Sequence, residues 1–288
     1  MPILILGGRG NLGSQLTKLF SVDYETVSLD REDFDATNFV ILAAKIRGLK
    51  PELIINTVAY NAVDHCEDKD GYASAFKLNV NLPAALADLS LEIGAILIHY
   101  SSDYVFSGTD QKQSFSEDET PNPANKYGES KFQGEREITR RGGLGLGYYL
   151  IRTSKLFGPA GEGPSAKPSF FDIMLDLAQT KQELTVVNEE LSCFTYTLDL
   201  AAATKRLWEL EVPFGIYHLV NGGPVTWYEA AMELFRQKKI KVALRAVRSE
   251  NLFRAARRPK FSILQNTKVH KLRNWKEALR EYLETGKN

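Results

Sequence analysis

Short apolar runs with no polar alternation recur through the first half of the chain. Each is followed by a longer stretch with apolar residues at helical spacing. Ile3-Leu4-Ile5-Leu6 predicts a buried strand, and Leu12, Leu16, Leu19 and Phe20 then fall on one helical face. Thr26-Val27-Ser28-Leu29 predicts a second strand, and Phe39, Leu42, Ala43 and Ile46 a second helical stripe closing near Gly48. Leu53-Ile54-Ile55 predicts a third strand, Tyr72 to Glu92 one long helix, Ile96-Leu97-Ile98 a fourth strand and Tyr148 to Ile151 a fifth. Strands that lack a polar face and alternate with helices belong in a parallel sheet covered on both sides. The fold class expected is therefore α/β, a doubly wound parallel sheet of the Rossmann type.

After Arg152 the alternation loosens. Gly158 to Pro168 holds three glycines and three prolines, which predicts a loop. Helices are expected over Ser169–Gln179, Leu198–Leu210, Trp227–Phe235 and Asn274–Leu283, and strands near Leu184–Val187 and Ile216–Leu219. The expected division is a dinucleotide-binding domain over 1–153 and a smaller, mainly substrate-binding C-terminal lobe over 154–288. Segments near 184–220 are expected to return to the first domain.

Composition narrows the function classes. The 288 residues carry 36 Lys plus Arg and 36 Asp plus Glu, so no basic excess points to nucleic acid and no acidic tail to a solvating segment. No apolar run reaches the length of a membrane span, and Pro2 to Leu6 is too short for a signal-type segment. Cys66 and Cys193 stand far apart and in no metal spacing, as expected of a reducing, cytoplasmic compartment. His65, His99, His218 and His270 show no ligand spacing either, so no metal is expected. Trp208, Trp227 and Trp275 lie in helical patterns and read as core or interface anchors. The stripe Trp275, Leu279, Tyr282 and Leu283 reads as packing, with homodimer formation as its alternative.

Two constellations carry chemistry. The first strand runs into Gly7-Gly8-Arg9-Gly10-Asn11-Leu12-Gly13, which opens the first helix. Glycines at such spacing turn the chain, admit a pyrophosphate to the backbone and let helix and strand pack, while the helix N-terminus offers free N–H groups to phosphate. The second strand ends at Leu29-Asp30-Arg31. An acid there can accept from the adenosine ribose, and an arginine can meet a 2′-phosphate. With Arg9 as a further phosphate partner, the choice between NAD and NADP stays open, leaning to NADP or dual use.

The second constellation is Tyr127 and Lys131, in Asn125-Lys126-Tyr127-Gly128-Glu129-Ser130-Lys131. Of twelve tyrosines only Tyr127 has a lysine four residues on. A free phenol, with a pKa of about 10, is a poor acid near neutrality, and a nearby ammonium lowers that value. Positions i and i+4 share a helix face, so Lys131 can reach over Tyr127. Pro123 is placed at the expected helix start. Alone, such a pair reads more readily as an exposed helix pair. Its position after the fourth strand, which ends in Ser101-Ser102-Asp103, puts hydroxyls and phenol at the rim where parallel sheets bind ligands.

Strand, glycine loop, serine and Tyr-x-x-x-Lys resemble an extended short-chain dehydrogenase/reductase. The blocks Ile55–Asp64, Tyr100–Gly108, Arg152–Ser154, Thr195–Ala201 and Arg258–Ser262 resemble more closely the dTDP-4-dehydrorhamnose reductase family. The resemblance implies reduction of the C4 ketone of a nucleotide-linked 6-deoxy-4-keto sugar with NADPH or NADH. It implies Ser102, Tyr127 and Lys131 as the catalytic triad, with Lys131 on the nicotinamide ribose. Gly7, Gly10, Asn11 and Leu12 would line the pyrophosphate, and Arg31, Phe34 and Asp35 would lie near the adenosine, beside the strand-end acid Asp30. Val58, Ala59 and Tyr60 would line the cofactor, with Asn79 bracing the site. Asp103 and Val105 would face the sugar, and Arg258 would contact the nucleotide sugar. Lys155 stands where the family often has an aromatic residue on the sugar, and the loop 158–168 is unlike the family's, so the sugar is left open. Related outcomes on the same fold are a nucleotide-sugar epimerase or dehydratase and a non-catalytic NADP-binding regulatory subunit like that of methionine adenosyltransferase.

Overall fold

The computed structural model describes residues 2–108, 114–164 and 166–285; Ser165, inside the loop expected over 158–168, lies outside them. In chain order the elements begin with β1 (Ile3–Leu6), α1 (Asn11–Phe20), β2 (Thr26–Leu29), α2 (Phe39–Leu49) and β3 (Leu53–Asn56). Then come α3 (Lys69–Phe76), α4 (Leu82–Ile93), β4 (Ile96–Ser102), β5 (Ser114–Phe115), α5 (Lys126–Gly142) and β6 (Tyr148–Thr153). The remainder is β7 (Leu156–Phe157), α6 (Phe170–Thr180), β8 (Glu183–Val187), β9 (Thr195–Tyr196), α7 (Thr197–Glu209), β10 (Gly215–His218), β11 (Asn221–Gly222), α8 (Trp227–Lys238), β12 (Ala243–Val247), β13 (Ile263–Leu264), β14 (Leu272–Asn274) and α9 (Trp275–Thr285).

Six strands form one sheet in the order β10-β6-β4-β3-β1-β2, and every pairing in it is parallel. The chain leaves β1 for β2 on one side and returns to β3 on the other. That reversal opens a crevice beyond the carboxyl ends of β1 and β3, where such sheets bind ligands. The apolar runs explain the layering. Ile3 and Ile5 face α1 and α7 through Leu12, Leu16, Phe20, Leu200 and Leu207. Leu4 and Leu6 face the other layer through Leu42, Ile46, Leu82, Leu86 and Ile138. Each fully buried side chain of this size, such as Leu16 or Phe20, contributes about 1.5–3 kcal/mol.

Of the segments within 184–220, Gly215–His218 joins the large sheet beside β6, and α7 packs on α1. Glu183–Val187 does not return to it: β8 pairs with β12 in a separate two-stranded sheet. A second core forms there, around Phe171, Phe194, Leu234, Trp275 and Leu279.

Two expectations are corrected. The long helix expected over Tyr72–Glu92 is broken by a π-helical turn, Lys77–Asn81, between α3 and α4. The polar residues of that turn fit a helical period, so sequence spacing alone does not reveal the extra residue. The helix that carries Tyr127 also starts later than Pro123. Asn125 is its N-cap, accepting from the Gly128 N–H at 2.8 Å, and Lys126 is its first residue.

Candidate active site

The glycine loop closes against the end of β3. Gly7 has φ +79°, and a β-carbon there would come within 2.5 Å of the Thr57 hydroxyl. A β-carbon on Gly13 would lie 2.0 Å from the Gly7 carbonyl oxygen, so only glycine lets α1 start this close to β1. Gly10 is the N-cap of α1 without a side-chain cap, and the first turn holds no acid. Those free N–H groups suit a pyrophosphate, so the residues present fit a dinucleotide. Leu12 is buried beneath the loop. Asn11 is partly engaged by the loop after β7, donating to the Lys167 carbonyl at 2.8 Å and accepting from the Gly161 N–H at 3.1 Å.

At the end of β2, Asp30 accepts from the main-chain N–H groups of Arg9 (2.9 Å) and Arg31 (2.7 Å). Phe34 packs beside α2 with Lys45 Nζ 5.3 Å from its ring centre. Asp35 turns one oxygen to the Thr37 N–H and hydroxyl, both at 2.8 Å, and these bonds hold its pKa down. After β3, the Val58 N–H donates to Asn56 Oδ1 at 3.1 Å, and Ala59 and Tyr60 follow it half-buried, the Tyr60 hydroxyl meeting His65 Nδ1. Asn79, on the π-helical turn, spans this segment. Its Oδ1 accepts from the Tyr60 N–H, and its Nδ2 donates to the Tyr60 carbonyl and the Ser130 hydroxyl, each at 2.9 Å. The bulge thus points one fully buried amide at both the β3 loop and α5.

Tyr127 and Ser102 meet at the rim. Ser102 lies in hydrogen-bond reach of the phenol, a contact that lowers its pKa, but burial dominates and pushes the phenol up from its ordinary value. Tyr104 sets its ring edge-on to Tyr127, with centroids 5.9 Å apart. Lys131 does not hydrogen-bond to the phenol. Its Nζ donates to the Tyr100 carbonyl at 2.7 Å, and burial lowers its pKa to about 8 against the attraction of Glu135. The expected depression of the phenol by Lys131 is therefore not seen, because the ammonium is turned to the strand backbone.

Two substrate-facing expectations change. Val105 is fully buried among Phe106, Phe115, Val220 and Ile263, so its side chain faces that core and not a sugar. Asp103 is also enclosed, accepting from the hydroxyls of Ser102 (3.1 Å), Ser154 (2.8 Å) and Ser262 (2.6 Å); burial nevertheless raises its pKa. It is a brace that fixes Ser102 between β4 and the C-terminal lobe.

Arg258 is held by Asp64, one oxygen of which accepts from Nη2 at 2.6 Å, and Asp64 is lowered to about 2 by that arginine. Lys155 sits at φ +36°, a left-handed conformation that costs an L-residue about 1–2 kcal/mol. Its Nζ is enclosed without a hydrogen-bond partner, 3.6 Å from the Trp227 ring centre. Burial lowers this ammonium to about 8, with Asp103 and Glu190 opposing. Glu190 in turn accepts from Trp227 Nε1 (2.9 Å), Ser249 (2.9 Å) and Arg254. Trp227, Glu190 and Arg254 therefore surround the Lys155 ammonium, and Trp227 also packs against the second core, as its helical spacing suggested. Asp64, Ser154 and Ser262 were legible only as members of the resembling blocks.

The RmlD substrate binding domain family model matches residues 1–288. The chain is 33% identical over 98% of its length to the spore coat polysaccharide biosynthesis protein SpsK of Bacillus subtilis, covering 96% of that protein. It is 32% identical to a dTDP-4-dehydrorhamnose reductase of Aggregatibacter actinomycetemcomitans, over 96% of this chain and 97% of the relative. Among solved structures, dTDP-4-dehydrorhamnose reductase from Bacillus anthracis in complex with NADP aligns over 99% of both chains, with a TM-score of 0.90 and 30% identity.

Proposed function

The chain belongs to the RmlD substrate binding domain family, and from that premise we propose that it is an NAD(P)H-dependent dTDP-4-dehydrorhamnose reductase. The observation that carries this reading is the meeting of Ser102 and Tyr127 at the rim of the crevice that the glycine loop closes. We assign the dinucleotide mainly to residues 1–153 and the nucleotide sugar to the face that 154–288 adds.

The dihydronicotinamide, when bound, supplies the hydride to the C4 carbonyl carbon. Ser102, whose hydroxyl proton rests on Asp103, turns it to the carbonyl oxygen when the substrate is bound. Tyr127 gives its phenolic proton to the forming alkoxide, so ketone, hydride and proton balance to the alcohol. A buried phenol of raised pKa is protonated at neutral pH, as an acid must be before it acts. Lys131, turned from the Tyr100 carbonyl, would hold the ribose hydroxyls and draw the phenolate charge. Asn79 keeps the β3 loop against α5. Arg258, aligned by Asp64, offers its guanidinium to the diphosphate. The enclosed thiols of Cys66 and Cys193 support a reducing compartment, which we read as the cytoplasm. Among the described residues no helix is long and apolar enough to cross a membrane.

The test is turnover of dTDP-4-dehydrorhamnose with NADH and with NADPH. Stoichiometric loss of dihydronicotinamide absorbance with formation of dTDP-rhamnose is expected. Conversion of the sugar without net cofactor consumption would overturn the reading.

A further inference from the structure

Three enclosed charges meet beneath α5. Lys131 and Glu135 lie one helical turn apart on the same face, and Arg152 reaches Glu135 from β6. Lys131 and Glu135 are each 2% exposed and Arg152 1%, so solvent and salt screen them little. Arg152 takes both oxygens of the carboxylate, Nε to Oε1 at 3.0 Å and Nη2 to Oε2 at 2.7 Å. Lys131 gives a donor to the Tyr100 carbonyl and, among the described residues, forms no ion pair of its own. An enclosed ammonium without an opposite charge nearby sheds its proton more easily.

The other groups around Lys131 supply no such charge. Tyr127, on the same helix, is a phenol that burial keeps protonated. The Tyr100 phenol is taken up by Thr204 at 2.7 Å. His99 on β4 is held neutral by burial and by Lys131 itself, and its Nδ1 faces the Asn56 amide at 3.0 Å. His218, 3.4 Å from Arg152, is kept neutral by burial and by that arginine. Asp103, past the end of β4, is taken up by three serines. Glu135 is left as the negative charge that acts on Lys131.

We propose that Glu135 is a positioning residue for the reaction: its carboxylate is the counter-charge of the enclosed Lys131 ammonium, and Arg152, by holding both of its oxygens, sets how much of that charge the lysine feels. The proposal rests on the assignment of Lys131 to the ribose and the phenolate, and adds the group that keeps the lysine charged for both. The two halves of the Arg152–Glu135 pair then act on Lys131 with opposite sign. A pair that only ties β6 to α5 would disturb the lysine alike from whichever side it is broken.

Isotope-edited NMR of the lysine side chains in the full chain, with neither cofactor nor sugar, reads this directly. The Lys131 signal is identified by its loss in Lys131→Met. In the unaltered chain its titration midpoint should lie near 8. In Glu135→Gln it should fall by about half a pH unit or more, which is about a threefold loss of proton affinity. In Arg152→Met, with Glu135 kept, it should rise by a similar margin. The double variant Arg152→Met, Glu135→Leu carries neither charge and keeps the space filled, so it serves where Arg152→Met does not fold. Its midpoint should lie below the unaltered chain and above Glu135→Gln. An unmoved midpoint in Glu135→Gln, a change of the same direction in Glu135→Gln and Arg152→Met, or a double variant at or above the unaltered chain would overturn the proposal. Turnover of the keto sugar is a separate measurement. Its absence alongside the expected order of midpoints would sink the reductase reading and leave the counter-charge standing.

Discussion

Lys131 donates its ammonium to the carbonyl oxygen of Tyr100 at 2.7 Å, two residues before Ser102 on the same strand. The lysine thus ties α5 to the end of β4, the strand that also carries Ser102. Burial holds its pKa near 8, so the charge that is to steady the ribose and the phenolate is lost as pH rises through that value. Reduction should therefore fall above pH 8. Lys131→Arg, which stays charged, should move this limb upward, and Lys131→Met should lower kcat by about a hundredfold. A pH–rate profile of the three proteins checks this.

Asn79 makes three hydrogen bonds from a fully buried amide. Asn79→Ala would leave the Tyr60 N–H and carbonyl without those partners. Urea unfolding should show a loss of about 2 kcal/mol, and dinucleotide affinity should fall with it because the β3 loop loses its tie to α5.

Arg152 and Glu135 form an enclosed pair, with Nε to Oε1 at 3.0 Å and Nη2 to Oε2 at 2.7 Å. The pair joins β6 to α5, so the Arg152–Ser154 block serves the scaffold at its first position and the site at its last. Arg152→Met strands a buried carboxylate and should destabilise by about 3–5 kcal/mol, while the double variant Arg152→Met, Glu135→Leu should recover most of that loss. Denaturant midpoints of both proteins check it.

Much of the large sheet was readable because its strands are buried on both faces, as at Ile3–Leu6 and Leu53–Ile55, and apolar runs leave little ambiguity. The glycine loop was readable because its position after a strand fixes its use. Other features depend on contacts between residues far apart in sequence. The π-helical turn around Asn79 keeps a helical pattern. The enclosure of Asp103 comes from Ser154 and Ser262, 51 and 159 residues away. The pairing of β8 with β12 needs a partner strand whose residues are mostly exposed. Lys131 chose a backbone carbonyl over the phenol four residues before it, which helix geometry alone does not decide.

Lys155 gives a second pH test, on stability. Its pKa falls from 10.5 in the unfolded chain to about 8 in the folded one. Between those values the unfolded chain binds the extra proton, so this group's contribution to stability rises with pH; below 8 both states are charged and its full cost is present. Lys155→Met should therefore be most favoured relative to the unaltered chain at pH 7 and lose most of that advantage by pH 10. Urea unfolding of both proteins at the two pH values measures the difference.

Single-turnover reduction of dTDP-4-dehydrorhamnose by Tyr127→Phe, with dinucleotide affinity measured on the same sample, tests the central claim most directly. If Tyr127 is the proton donor, the rate falls by about a thousandfold while affinity stays within about twofold. A rate within about tenfold of the unaltered chain would contradict the account.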